Sequence, residues 1–135
     1  MTTGYVDSSC LVAIALGEPG HEAVAATLAH FDRIVSSNLL EAEFHAALSR
    51  EGIRHGGPVP GRISWALPDR LLSPEIQTVL SAGYVRGADL WHLACALYVS
   101  PDPRELAFLT LDEHQAWVAS CLGFPTMQMD APTGR

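Results

Sequence analysis

The chain contains no lysine; all eight of its basic residues are arginines. Three function classes go with that absence. There is no P-loop lysine to hold a phosphate. There is no Schiff-base nucleophile. There is no lysine to set beside an aspartate, as phosphatase and receiver folds require. The bias toward arginine itself fits genome composition. Cysteine is also scarce. Cys10, Cys95 and Cys121 are odd in number, widely spaced and set in apolar helical patterns. They read as small core residues in a reducing environment, so a cytoplasmic location is expected. Neither C-x-x-C nor H-E-x-x-H spacing occurs, which argues against zinc. No apolar run approaches the roughly 18 to 20 residues that span a bilayer, and Met1 to Tyr5 carry no basic region, so neither a membrane span nor a signal peptide is expected. Repeats, low-complexity tracts and interdomain linkers are missing too. Ser8 and Ser9 lack a G-x-S-x-G elbow and an evident base, which argues against nucleophilic serine chemistry.

What is present is an ordinary globular composition. The 135 residues are 48% hydrophobic, enough for a sizeable core, and fit one domain spanning 1–135. The formal net charge of −7 opposes gripping nucleic acid by bulk charge. It leaves room for a nuclease whose acids are neutralised locally by metal ions.

Periodicity lays out alternating strands and helices. The stretch Thr3-Gly4-Tyr5-Val6 reads as a strand that ends in Asp7-Ser8-Ser9, followed by a short helix to Leu16. Gly17-Glu18-Pro19-Gly20 stops it, and 21–31 forms a second helix. Residues 33–37 form a strand, Asn38 is placed to cap a helix over 39–51, and 52–61 is the most loop-like segment. The glycines there follow no strand and alternate with prolines, so they are not a phosphate loop. Residues 62–72 read as a short strand or turn. Helices follow over 73–82 and 88–99, then a strand over 106–110, a helix over 112–122 and a final edge strand over 126–129. This alternation implies an α/β fold, a mainly parallel sheet covered by helices on both faces.

Four acids stand out against that pattern. Asp7 and Asp112 follow strands, and in a parallel sheet both emerge at the carboxyl edge. Glu43 has Leu39, Ala46 and Ala47 as its helical neighbours, and Asp89 precedes Leu93, Ala96 and Leu97 on one face. Each has a plain alternative. Asp7 can cap the helix after it, Asp89 can be a first-turn acid, and Thr110-Leu111-Asp112-Glu113 fits a capping box. Glu41 competes with Glu43 for the inward position. Together, clustered carboxylates repel one another and are costly to bury unless a divalent cation neutralises them. Hard oxygen ligands suit Mg²⁺ or Mn²⁺. His92, three residues after Asp89, reads as structural, and Trp65, Trp91 and Trp117 as core or interface anchors. Arg50, Arg54, His55 and Arg62 form a local basic segment, either a solvated helix end or a guide for RNA phosphates.

Tyr5-Val6-Asp7-Ser8-Ser9, Glu43-Phe44-His45-Ala46-Ala47-Leu48, Gly87-Ala88-Asp89-Leu90-Trp91-His92-Leu93-Ala94-Cys95-Ala96-Leu97 and Phe108-Leu109-Thr110-Leu111-Asp112 resemble, in order, the PIN-domain ribonucleases. They are most similar to the toxins of VapBC toxin–antitoxin systems. The resemblance implies a three-layer α/β/α fold and Mg²⁺- or Mn²⁺-dependent endoribonuclease activity. It implies Asp7, Glu43, Asp89 and Asp112 as the catalytic acids, with Asp7, Asp89 and Asp112 near the metal and Ser8 supporting Asp7. It also implies an RNA substrate, a homodimer and a small antitoxin partner. Residues 52–73 match no part of the pattern. The rival expectation is a PIN-like module that binds RNA or protein without cutting.

Overall fold

A computed structural model describes residues 2–54 and 57–127. Strand β1 (Thr3–Val6) leads through Asp7 into α1 (Ser8–Leu16). Gly17 ends that helix with a left-handed φ of 63°, a conformation that suits glycine, and its N–H reaches back to Ala13 and Ile14. Helix α2 (His21–Ala29), β2 (Arg33–Ser37) and α3 (Leu39–Arg50) follow. The ambiguous stretch 62–72 contains a true strand, β3 (Ile63–Ala66). Then come α4 (Ser73–Ala82), α5 (Gly87–Val99), a 3-10 turn (Pro103–Glu105), β4 (Ala107–Leu109) and α6 (Glu113–Leu122).

The four strands lie in the order β3-β2-β1-β4, and every pairing is parallel. Tyr5 is in register with Val35 on one side and Phe108 on the other. Registered neighbours share a face, and these three enter one core with Leu93, Ala96 and Leu97 of α5, Val79 of α4 and Val118 of α6. The adjacent residues Val6 and Leu109 point the other way, into a second core with Cys10 of α1, Val24 of α2 and Leu40, Phe44 and Leu48 of α3. Helices α1 to α3 therefore cover one face and α4 to α6 the other, as the alternation of strands and helices implied. Each large apolar side chain buried this way contributes about 1.5–3 kcal/mol.

Some boundaries differ from the sequence reading. Asn38 precedes α3 but makes no side-chain cap bond; Ser37 Oγ accepts the Leu39 N–H instead, at 3.2 Å. Helix α2 stops at Ala29 and α3 at Arg50. Of the expected strand over 126–129, Thr126 forms a lone parallel bridge with Phe108, and the part from 128 onward lies outside the described residues.

Candidate active site

An all-parallel sheet sends every strand's carboxyl end to one edge. Asp7 follows β1 there, Ser37 ends β2 there, and Thr110 follows β4. The registered pair Val6 and Leu109 brings Asp7 and Thr110 side by side, and the Asp7 N–H donates to Leu109 O at 3.1 Å.

Asp7 is only 5% exposed. Its Oδ1 accepts from the Ser9 N–H at 3.1 Å and from Ser9 Oγ at 2.6 Å, and its Oδ2 accepts from Thr110 Oγ1 at 2.9 Å. Asp7 is thus the N-cap of α1 as well as a buried acid at the sheet edge. Burial pushes its carboxyl up to about 6 from 3.8, against the opposing bonds from Ser9 and Thr110. The hydroxyl that meets Asp7 belongs to Ser9, not to Ser8. The N-cap geometry explains the choice: the residue two after the cap turns its N–H and side chain back toward it.

Asp89 sits in the first turn of α5, part-buried. Burial raises its pKa first, and repulsion from Asp112 and Glu43 raises it further. Asp112 is exposed and caps α6. The expected capping box is displaced along the chain: Asp112 Oδ1 accepts the Gln115 N–H at 2.8 Å, while the Asp112 N–H donates to Thr110 Oγ1 at 3.1 Å. Glu43 is the inward acid of its helix and Glu41 is exposed, which decides between them. Glu43 Oε1 lies 2.5 Å from His92 Nε2, and His92 Nδ1 lies 2.8 Å from the Tyr5 hydroxyl.

The acids therefore meet in one electrostatic neighbourhood. Asp89 feels Asp112 and Glu43, and Asp7 feels Asp89. The profile of the PIN domain family matches residues 4–119. The chain belongs to the PIN domain family. PIN domains are generally nucleases, hydrolases of nucleic acid that generally use divalent metal ions. All four acids fall inside the matched span. No curated protein and no solved structure gives a significant match.

Within this PIN domain, the donor set fits a hard divalent cation. The ligands on offer are carboxylate oxygens, two of them on acids whose ionisation burial resists. Asp7 receives three hydrogen bonds against about four lone-pair sites, which leaves one acceptor position on Oδ2. The grouping is open: among the described residues no three His, Cys, Asp or Glu side chains stand as close together as metal ligands must.

Two polar residues of the site were not legible as such. His92 is 1% exposed, yet it reaches Glu43 on another helix. Gln115 is fully buried; its Nε2 donates to Asp89 O at 3.3 Å and its Oε1 faces Thr110 Oγ1 at 2.8 Å, tying α6 to the start of α5. The Arg-rich segment lies elsewhere. Arg62 immediately precedes β3, and Arg50 ends the helix that runs back from β2, so both sit toward the amino edge, away from Asp7. His55 lies outside the described residues. Arg86 is exposed at the N-cap of α5, three residues before Asp89.

Proposed function

We propose that the chain is a metal-dependent endoribonuclease that hydrolyses RNA phosphodiester bonds. The observation that carries this reading is Asp7, an acid that burial resists ionising, fixed by three hydrogen bonds at the sheet's carboxyl edge and repelled by Asp89, which in turn is repelled by Asp112 and Glu43. A fold keeps such a cluster where positive charge is to be bound.

Asp7 and Asp89 would hold the Mg²⁺ or Mn²⁺ ion, with Asp112 beside them. When bound, that ion supplies Lewis acidity: it lowers the pKa of water and offsets charge gathering on the phosphate. Glu43 faces the same space with one carboxylate oxygen held by His92, so its other oxygen is the one to take a proton from an attacking water. Hydrolysis then balances simply. The hydroxyl goes to phosphorus, the P–O bond breaks, and the proton ends on the leaving oxygen. Ser9 and Thr110 keep Asp7 aimed, and Gln115 keeps the start of α5 in place.

The activity is the toxin half of a toxin–antitoxin pair in this reading, with a small antitoxin as the partner. The motif resemblance supports it. Self-association is supported by Leu67 and Leu71, 64% and 83% exposed, which follow the edge strand β3. The experiment is RNA cleavage by pure protein with Mn²⁺ or Mg²⁺, with chelator, and with Asp7→Asn and Asp89→Asn. Cleavage that needs the ion and both acids is expected. Activity that survives both substitutions overturns the reading. Growth arrest on expression, absent with Asp7→Asn, tests the toxin role.

A further inference from the structure

A buried polar line runs from the sheet through α5 to α3. Tyr5 is fully buried, and its hydroxyl oxygen accepts the Ser37 N–H at 3.2 Å. It meets His92 Nδ1 at 2.8 Å, and His92 Nε2 meets Glu43 Oε1 at 2.5 Å. Only the last of these three side chains reaches solvent: Glu43 is 26% exposed and His92 1%. Among the described residues no buried side-chain nitrogen or oxygen is left without a partner, so this line is fully satisfied.

The proton positions follow from its two ends. Burial holds the Tyr5 hydroxyl far above its ordinary range, so it stays protonated. Its oxygen takes the Ser37 N–H, and its hydrogen can go to Nδ1 where that nitrogen is bare; an ionised Glu43 can only accept, which calls for a hydrogen on Nε2. A neutral His92 then carries its hydrogen on Nε2, aimed at Glu43. An imidazolium would carry one there too. The arrangement that fails is the Nδ1–H tautomer, which sets an Nε2 lone pair against a carboxylate. Each permitted state donates to Glu43.

Left alone, a part-exposed glutamate on a helix samples many rotamers, and fixing one costs conformational entropy. His92 offsets that cost with a hydrogen bond to a charged group. Its own ring is locked by the packed core around Leu93, Ala94 and Cys95 and by an edge contact with Tyr5 at 5.8 Å between centroids.

We infer that His92 is a positioning residue: backed by Tyr5, it donates from Nε2 to Glu43 Oε1 and fixes the orientation of the other carboxylate oxygen toward the acid cluster. The inference rests on the nuclease reading for its kinetic consequence and on geometry alone for the bond itself.

The test compares His92→Leu, His92→Gln and Tyr5→Phe with wild type and with Glu43→Ala, alone and combined with His92→Leu, on a single-stranded RNA with Mn²⁺. His92→Leu is expected to lower kcat by about 10- to 100-fold, the scale usual for partners that orient a ligand or base, with KM unchanged. His92→Gln restores much of it, because its amide offers a hydrogen near the Nε2 position. Tyr5→Phe falls between, since its ring still stacks on Phe108, 5.3 Å between centroids, while the tautomer is freed. In the Glu43→Ala background, His92→Leu has no further effect. If His92→Leu does not fold, the His92→Gln and Tyr5→Phe arms carry the kinetic comparison. A folded His92→Leu that cleaves at the wild-type rate overturns the inference. So does the same fractional loss with and without Glu43. Nitrogen-15 NMR of the imidazole separates the two layers. If wild type cleaves no RNA, the nuclease reading falls, while an Nε2–H resonance that moves in Glu43→Ala upholds the positioning. An Nδ1–H tautomer overturns it.

Discussion

Thr110 Oγ1 stands 2.9 Å from Asp7 Oδ2 and 2.8 Å from Gln115 Oε1, and it has one hydrogen to give. The two oxygens compete for that hydrogen, and the carboxylate is the stronger acceptor, so ionised Asp7 draws the larger share of it. The hydroxyl also accepts the Asp112 N–H. One threonine thus connects two of the four acids.

Replacing it with the isosteric valine tests that connection. Thr110→Val is expected to cost about 1–3 kcal/mol, the usual penalty for stranding a buried partner. The cost should be larger at pH 8 than at pH 4, because the lost bond favours the ionised form of Asp7. Urea unfolding at the two pH values measures it, and Thr110→Ser should retain most of the stability.

Asp7 makes a signed prediction about pH. Its folded pKa of about 6 lies above the ordinary 3.8. The native state therefore binds the proton more tightly than the unfolded chain does. The stability this gives is fully present below about pH 4 and is lost as pH rises through 6. Two units at 1.36 kcal/mol each make the total loss about 3 kcal/mol. Asp7→Asn should remove most of this slope and raise the melting temperature at pH 7.5 without divalent ions. Mn²⁺ at a hundred times its Kd should stabilise wild type by about 2.7 kcal/mol and leave Asp7→Asn unmoved.

Neighbouring serines should behave differently. Ser9 donates twice to Asp7 Oδ1 and accepts the Leu111 N–H at 3.0 Å. Its backbone bond survives substitution, but its hydroxyl bonds do not. Ser9→Ala is expected to raise the Asp7 pKa and lower both stability and cleavage; Ser8→Ala should change each far less. Equal effects would return Ser8 to the supporting role.

Arginines at opposite sheet edges offer a matched pair for RNA binding. Arg86→Ala should raise KM for RNA and reduce the salt dependence of binding by about one ion, while Arg62→Ala should do neither. Filter binding across a salt series gives both numbers.

Strand ends and apolar helix faces were readable because periodicity depends on neighbours in sequence. Asp7 and Asp89 stood out for that reason: each interrupts an apolar pattern. Strand β3 was harder. Ile63-Ser64-Trp65-Ala66 is short, lies between Pro60 and Pro68, and exposes Trp65 at the sheet edge. The hydrogen bonds of the site were not readable at all. Ser9 over Ser8 is a matter of cap geometry. Thr110 as Asp7's partner depends on the register between β1 and β4. His92 as Glu43's partner depends on two helices meeting at the carboxyl edge from opposite faces of the sheet. Gln115 is polar in sequence, and only the packing of α6 against the sheet buries it.

Strand β1 comes early in the chain, but its neighbours on the two sides are β2 and β4. As the polypeptide leaves the ribosome, Asp7 emerges 103 positions ahead of the hydroxyl that completes its cradle. Asp112 is as late. A nascent fragment ending before Ala107 lacks the strand that closes the sheet on that side, and with it the Thr110 hydroxyl that bonds Asp7. Competence for chemistry is thus deferred until almost all of this span has been translated.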